Sequence, residues 1–335
     1  MIAARAPGKL VALGEYAVLD GAPALVLALD RFAEVRIETS PDGDCHLTTR
    51  PPQAGRERFP PGEPSGAALL DIVTRAVTPP LAWTARVDST AFYEGPDKLG
   101  LGSSAAVLCA WAGAFAAFAS AHGRTVPEPT VAGLIGLHRM FQGGRGSGLD
   151  VAASFTGGAT LFRLSGAGAP EVGSVRLPNS VGFAGIFAGR SASTPEFVAH
   201  YRAWRRDRPG EAAAMLRRLT ELAEAGCAAA QGDDAAAFLA VFADYGRALQ
   251  TLGESIGADI VTAEHREIGE HARQFGVAYK VSGAGGGDLG LACAADSAAL
   301  AAFVQSVTNR GFRVIKVSLA DRGLSVERRA PGALP

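Results

Sequence analysis

The segment Pro96-Asp97-Lys98-Leu99-Gly100-Leu101-Gly102-Ser103-Ser104-Ala105-Ala106 runs directly into an Ala-rich apolar stretch, the pattern of a glycine loop opening a helix. Gly100 and Gly102 let the backbone approach a ligand and take positive φ without steric cost. Ser103 and Ser104 have hydroxyls suited to capping the helix. The first amides of a helix have no internal partner and lie at the positive end of its dipole, so the loop suits a phosphate chain. It is not the G-x-x-x-x-G-K-[ST] loop, because Lys98 precedes the glycines, and it lacks the third glycine of the dinucleotide fingerprint. On these residues alone, phosphate binding and a plain helix start both stay open.

Three other places carry candidate chemistry. Asp150 follows a glycine loop in Gly146-Ser147-Gly148-Leu149-Asp150-Val151-Ala152. A carboxylate there can take or orient the proton of an accepting hydroxyl, or simply serve as a turn or cap. Lys9 follows Pro7-Gly8 at a strand start, where a cation can neutralise a transferring group or face solvent. The run Gly283-Ala284-Gly285-Gly286-Gly287-Asp288 lets amides face an anion or lets one loop pack tightly on another. His138 and Arg139 read as a solvated helical face, Trp204-Arg205-Arg206 as a solvated helix end, and the six histidines as no metal cluster.

Three of these segments occur in a telling order. Ala6-Pro7-Gly8-Lys9-Leu10-Val11-Ala12-Leu13-Gly14-Glu15-Tyr16-Ala17-Val18-Leu19 comes first, the Gly100–Ser104 loop second, and Val281-Ser282-Gly283-Ala284-Gly285-Gly286-Gly287-Asp288 last. Together they resemble the GHMP kinase superfamily (galacto-, homoserine, mevalonate and phosphomevalonate kinases) over roughly residues 5 to 320. The resemblance implies an α+β two-domain fold, with a left-handed βαβ crossover in the N-terminal domain, a C-terminal α/β sandwich and the active site between them. The expected division is an N-terminal domain over 1–170, a C-terminal domain over 171–327 and a tail over 328–335. It also implies phosphoryl transfer from ATP with Mg²⁺, Asp150 and Lys9 as catalytic residues, and Lys98, Gly100, Leu101, Gly102, Ser103, Ser104 and Ala105 around the nucleotide phosphates. Ser103 or Ser104 would meet the metal.

Local detail is most similar to the phosphomevalonate kinase branch. Glu15-Tyr16 stands where mevalonate kinases have Glu-His; Gly146-Ser147-Gly148-Leu149-Asp150-Val151-Ala152 is close to Gly-Ser-Gly-Phe-Asp-Val-Ala; Ser191-Ala192-Ser193-Thr194-Pro195 resembles a Ser/Thr cluster of that branch. Arg139 stands eleven residues before Asp150, where mevalonate kinases carry a metal-binding Glu. Leu149 in place of Phe and Leu289 in place of Cys are apolar departures. The implied reaction is phosphorylation of 5-phosphomevalonate in isoprenoid precursor synthesis. Glu15, Tyr16, Arg145, Ser147, Gly148, Ser191, Ser193, Thr194, Gly285, Gly286 and Asp288 are the expected acceptor contacts. Mevalonate kinase, another small-alcohol kinase, or a non-catalytic metabolite binder on the same fold are the alternatives.

Composition bounds the rest. The chain has 335 residues, 48% hydrophobic and 19% charged, with net charge −1, which describes a globular protein. No basic excess or polybasic block points to nucleic acid or a membrane surface. Four scattered cysteines without C-x-x-C pairs, and an N-terminus without a signal h-region, fit a cytoplasmic protein; a monomer or a homodimer is expected. The periodicity predicts strands over 9–13 and 22–29 joined at Asp20-Gly21, strands over 32–39 and 83–89, and a surface loop over 40–64. It predicts helices over 66–78, 103–122 and 130–142, a strand over 159–164, and a Gly/Ala/Pro-rich connection over 165–175. Beyond lie a strand near 182–188, four helices between 194 and 275, strands over 277–282 and 289–292, a helix over 296–305 and a strand over 313–319.

Overall fold

The computed structural model describes residues 1–51, 55–75, 77–144, 146–166, 168–189 and 194–328. In chain order the first half has β1 (Ile2–Leu13), β2 (Ala24–Thr39), β3 (Cys45–Arg50), β4 (Gly55–Phe59), α1 (Ala68–Thr74), β5 (Trp83–Asp88), β6 (Tyr93–Glu94), β7 (Asp97–Lys98), α2 (Ser103–Ala121), α3 (Val131–Phe141) and α4 (Leu149–Thr156). The second half has β8 (Ala159–Arg163), β9 (Glu171–Val175), β10 (Gly182–Phe187), α5 (Thr194–Asp207), α6 (Pro209–Gln231), α7 (Ala235–Ile256), α8 (Ala263–Gln274), β11 (Ala278–Val281), β12 (Leu289–Ala294), α9 (Ser297–Asn309), β13 (Arg313–Lys316) and β14 (Ser325–Arg328).

The chain forms two compact units that interleave along the sequence. Unit 1 comprises Met1–Lys9, Ala28–Gly157 and Ala320–Pro335; unit 2 comprises Leu10–Leu27 and Gly158–Leu319. In unit 1 the strands run in the order β14-β1-β2-β5-β3-β4. Val35 and Ile37 of β2 lie opposite Val87 and Ala85 of β5, and all four are buried, so one sheet face is apolar. α2 belongs to the core of this unit. It is long and apolar enough to cross a membrane, yet 67% of it is buried, including Leu108, Cys109, Trp111 and Phe115. An all-round apolar helix is expected in such a place. Gly113 lets the returning chain lie close: a Cβ there would meet Leu324 and Val326 side chains at 2.9 Å.

Unit 2 has a four-stranded antiparallel sheet in the order β11-β12-β10-β13. α8 and α9 cover one face through Ile268, Ala272, Phe303 and Val307, which pack with Ala184, Ile186 and Ala292. In the same unit Ala24–Leu27 of β2 pair with β8, which pairs with β9.

Three expectations are corrected. The stretch 40–64 is not a bare loop but holds the β3–β4 hairpin; β4 is mostly exposed and charged (Arg56, Glu57, Arg58), so no alternation announces it. The connection 165–175 contains β9, an exposed strand lying against β8. Asp20-Gly21 is not a two-residue hairpin turn. Ala17–Asp20 form a 3₁₀ turn and Gly21, at φ 90°, ends it.

One buried histidine gives unit 2 an acid response. His265 of α8 is 1% exposed, its Nδ1 lies 2.7 Å from Tyr279 Oη, and its Nε2 has no partner among the described residues. Burial pushes its pKa down to about 4. The unfolded chain therefore takes up a proton near pH 6.5 that the fold refuses, so stability is intact above that pH and falls as pH drops toward 4. The total loss is about 3 kcal/mol. Thermal unfolding between pH 7 and pH 4 should show this slope, and His265→Gln should flatten it.

Candidate functional site

In unit 1 the glycine loop is built as its sequence suggests. β6 and β7 form a short hairpin that delivers the chain to Leu99 and Leu101, both fully buried, and these pin the loop from below. Gly100 and Gly102 have φ of 68° and 77°. Gly102 is the N-cap of α2, and no side chain caps the helix. The amides of Ser103, Ser104 and Ala105 precede the first intrahelical bond, from Ala106 N to Gly102 O at 3.2 Å, so they are available to an anion.

Lys9 lies along this loop. Its backbone N donates to Leu101 O at 2.8 Å and its Nζ to Gly100 O at 3.5 Å. A Cβ on Gly102 would stand 2.9 Å from Lys9 Cγ, so the missing side chain at 102 is the space the lysine stem fills. Gly102→Ala should therefore strain the backbone by about 1–2 kcal/mol and push Lys9 aside. Turnover should fall at least about tenfold, while the thermal midpoint drops by only a few degrees; steady-state rates and a melting curve test this. Lys98 is exposed on β7.

The two serines are placed differently. Ser103 is 6% exposed and its side chain lies beside the Tyr93 phenol. Ser104 is half-buried, and its Oγ lies 3.1 Å from His138 Nε2.

Asp150 occupies the first turn of α4, after Gly148 at φ 91°. A Cβ on Gly148 would be 2.6 Å from Ile135 Cγ2, so only glycine lets α4 start this close to α3. Asp150 Oδ1 accepts from Val151 N at 2.9 Å, Oδ2 lies 3.8 Å from His138 Nδ1, and 23% of the side chain is exposed. Cys109 lies beneath α4; burial, and then the Asp150 charge, push its thiol well above the usual range. The reading of His138 as a solvated face is corrected: it is 1% exposed, because α2 and α4 close over that side of α3. Arg139 is not simply solvated either. Its Nε donates to Gly146 O at 3.1 Å and its Nη2 to Ser147 O at 2.9 Å, so it shapes the loop before Asp150. Ser147 Oγ accepts from Leu149 N at 3.4 Å.

In unit 2 the first and last motifs meet. Ser282 Oγ accepts from Val11 N at 2.8 Å and donates to Val11 O at 3.0 Å. Glu15 Oε1 accepts from Lys280 Nζ and from Gly283 N. Tyr16 Oη donates to Ala284 O at 2.6 Å, and Gly286 N donates to Ile260 O at 3.0 Å. Gly285, at φ 85°, would place a Cβ 2.3 Å from Ile260 O. Glu15 and Tyr16 are 4% and 5% exposed, and both are turned inward and fasten the Gly283–Gly287 loop. Burial pushes the Glu15 carboxyl up and the Lys280 ammonium down, against their mutual attraction. Tyr16, at φ 62° and ψ −54°, holds a costly backbone conformation for a residue with a side chain. Asp288 O accepts from Ala188 N. Thr194 begins α5; Arg145, Ser191 and Ser193 lie outside the described residues.

A family model described as the GHMP kinases N terminal domain matches residues 73–158, which span the Gly100–Ser104 loop, His138 and Asp150. Residues 73–158 thus match the N-terminal domain of the GHMP kinases. GHMP kinases are phosphotransferases that use ATP. The chain is 29% identical to the phosphomevalonate kinase of Streptomyces sp. (strain CL190), covering 87% of this chain and 89% of that one. It is 28% identical to the mevalonate kinase of Aeropyrum pernix over 48% of this chain and 50% of that one. Its fold matches Streptococcus pneumoniae phosphomevalonate kinase in complex with phosphomevalonate and AMPPNP, at TM-score 0.78, 18% identity, and 96% and 100% coverage. The expected α+β GHMP kinase fold is thereby found.

Among the described residues no three His, Cys, Asp or Glu side chains gather into a metal site. The side-chain oxygens that the Gly100–Ser104 loop offers a cation are the hydroxyls of Ser103 and Ser104. Such a donor set fits Mg²⁺, which keeps several waters and binds through phosphate oxygens with few protein ligands.

Proposed function

We propose that this chain is a GHMP kinase and transfers the γ-phosphoryl group of ATP to 5-phosphomevalonate, giving 5-diphosphomevalonate. The observation that carries the choice of acceptor is Arg139. At a position where mevalonate kinases keep a metal-binding acid, this chain has a guanidinium bonded to two loop carbonyls beside Ser147 and Asp150. It removes a metal ligand and adds positive charge, which suits an acceptor that already carries a phosphate. The near end-to-end likeness to the Streptomyces enzyme supports the same reading.

In this mechanism the amides of Ser103, Ser104 and Ala105 hold the nucleotide phosphates, and Lys9 neutralises charge on the transferring group. Asp150, with part of its carboxylate exposed, orients the accepting hydroxyl and takes its proton. Ser103 or Ser104 would hold Mg²⁺, with Ser104 better placed because Ser103 is turned to Tyr93. When bound, Mg²⁺ would offset phosphate charge. Ser147 and Gly148 are the acceptor contacts in this unit. Four buried free cysteines support a reducing, cytoplasmic setting.

ADP release is measured with Mg-ATP and either mevalonate or 5-phosphomevalonate. Turnover with 5-phosphomevalonate alone is expected. Turnover with mevalonate alone discards the acceptor while keeping the phosphotransferase.

A further inference from the structure

We propose that His138 is a positioning residue for phosphoryl transfer, one imidazole that sets both the Ser104 hydroxyl of the phosphate loop and the Asp150 carboxylate. The inference rests on the reading of Asp150 and of the Gly100–Ser104 loop given above. His138 stands on α3, and its two ring nitrogens reach two other helices: Nε2 is 3.1 Å from Ser104 Oγ on α2, and Nδ1 is 3.8 Å from Asp150 Oδ2 on α4. The side chain is 2% exposed and its ring stacks on Phe141 with an interplanar angle of 19°, so the ring has little freedom to turn away.

The chemistry of the partners selects between the two neutral tautomers. A carboxylate accepts, so the tautomer that matches this geometry has its proton on Nδ1, toward Asp150. Nε2 is then an acceptor, and the Ser104 hydroxyl must donate to it. With its proton committed, Ser104 presents only lone pairs outward. It therefore meets a donor or a cation, and does not donate to phosphate. The separation of 3.8 Å from Nδ1 to Oδ2 is longer than a hydrogen bond, as is common before substrate draws a site together. Asp150 is held on its other side by Val151 N, so its carboxylate is aimed between two donors.

The two arms can be separated by substitution in the full chain. His138→Phe keeps size and stacking and removes both arms. His138→Gln places an amide near the position of Nε2, and His138→Asn places one near that of Nδ1. Three quantities are measured: the affinity for Mg-AMPPNP, kcat and KM with the acceptor that turns over, and the thermal midpoint.

His138→Phe should lose about a hundredfold in kcat and about tenfold in Mg-AMPPNP affinity, since small misplacements near reacting groups carry such costs. His138→Gln should recover the nucleotide affinity but not kcat, and His138→Asn should recover much of kcat but not the affinity. In an Asp150→Ala background, His138→Phe should lower kcat little further. Wild-type kcat and Mg-AMPPNP affinity in His138→Phe would overturn the proposal, as would parallel losses in all three variants that track a falling thermal midpoint. Failure of the underlying reading looks different: Asp150→Ala alone would then keep its turnover.

Discussion

Asp150→Asn should lower kcat by about 10²- to 10⁴-fold while leaving the KM for ATP within a few-fold. That loss corresponds to about 3 to 5 kcal/mol of transition-state stabilisation. The substitution is nearly isosteric. An amide oxygen can still accept from Val151 N, as the carboxylate does at 2.9 Å, so the start of α4 should keep its shape. What disappears is the capacity to take a proton and to draw a hydroxyl by charge. Phosphoryl transfer passes through a loose transition state with little bond formation to the nucleophile, so much of the loss would come from orientation rather than proton abstraction. Asp150→Glu separates the two contributions: it restores the base but moves it outward by one methylene, and its kcat should stay well below wild type. The nucleotide loop is anchored independently by Leu99, Leu101 and Lys9, so Mg-AMPPNP affinity should be unchanged. A kcat within tenfold of wild type for Asp150→Asn would remove Asp150 from the chemistry.

The conformation of the Gly100–Ser104 loop was legible because its signals are local. Glycines at 100 and 102, two serines and an Ala-rich run specify a left-handed turn and a buried helix without reference to the rest of the chain. His138 was not legible. Its neighbours in sequence, Leu137 and Arg139, are partly exposed, and its burial comes from α2 and α4, whose closeness depends on Gly148 lacking a side chain beside Ile135. β4 was missed for a related reason. Edge strands with solvent on both faces need no hydrophobic alternation, and Arg56, Glu57 and Arg58 supply none. No local signal marks the exchange of chain segments between the two compact units. Leu10–Leu27 belongs with residues beyond 158, because Val11, Glu15 and Tyr16 bond to residues 280–284.

That last set of bonds carries the second large effect, which is on stability. Lys280→Met should destabilise the protein by about 3–5 kcal/mol, since it leaves a buried carboxylate without its counter-ion. Lys280 and Glu15 are 2% and 4% exposed, and the ammonium also donates to Val11 O at 3.4 Å. It sits 5.4 Å from the Phe242 ring and 5.8 Å from the Tyr245 ring, so no water can replace it cheaply. Burial already weighs against both charged forms, which means the pair survives by mutual compensation and not by solvent. Removing both charges should then be mild: Glu15→Leu combined with Lys280→Met should recover most of the lost stability, because apolar residues of similar volume often replace a buried pair at no cost. Urea unfolding of the two single variants and the double variant at neutral pH measures the coupling directly. Activity should not recover with stability. Glu15 also accepts from Gly283 N, and its replacement frees one of the bonds that hold the Gly283–Gly287 loop. A double variant that is stable but slow would show that the Glu15 carboxylate sets the position of this loop. A double variant as unstable as Lys280→Met would show that the cost lies in packing around residue 280 and not in an unpaired charge.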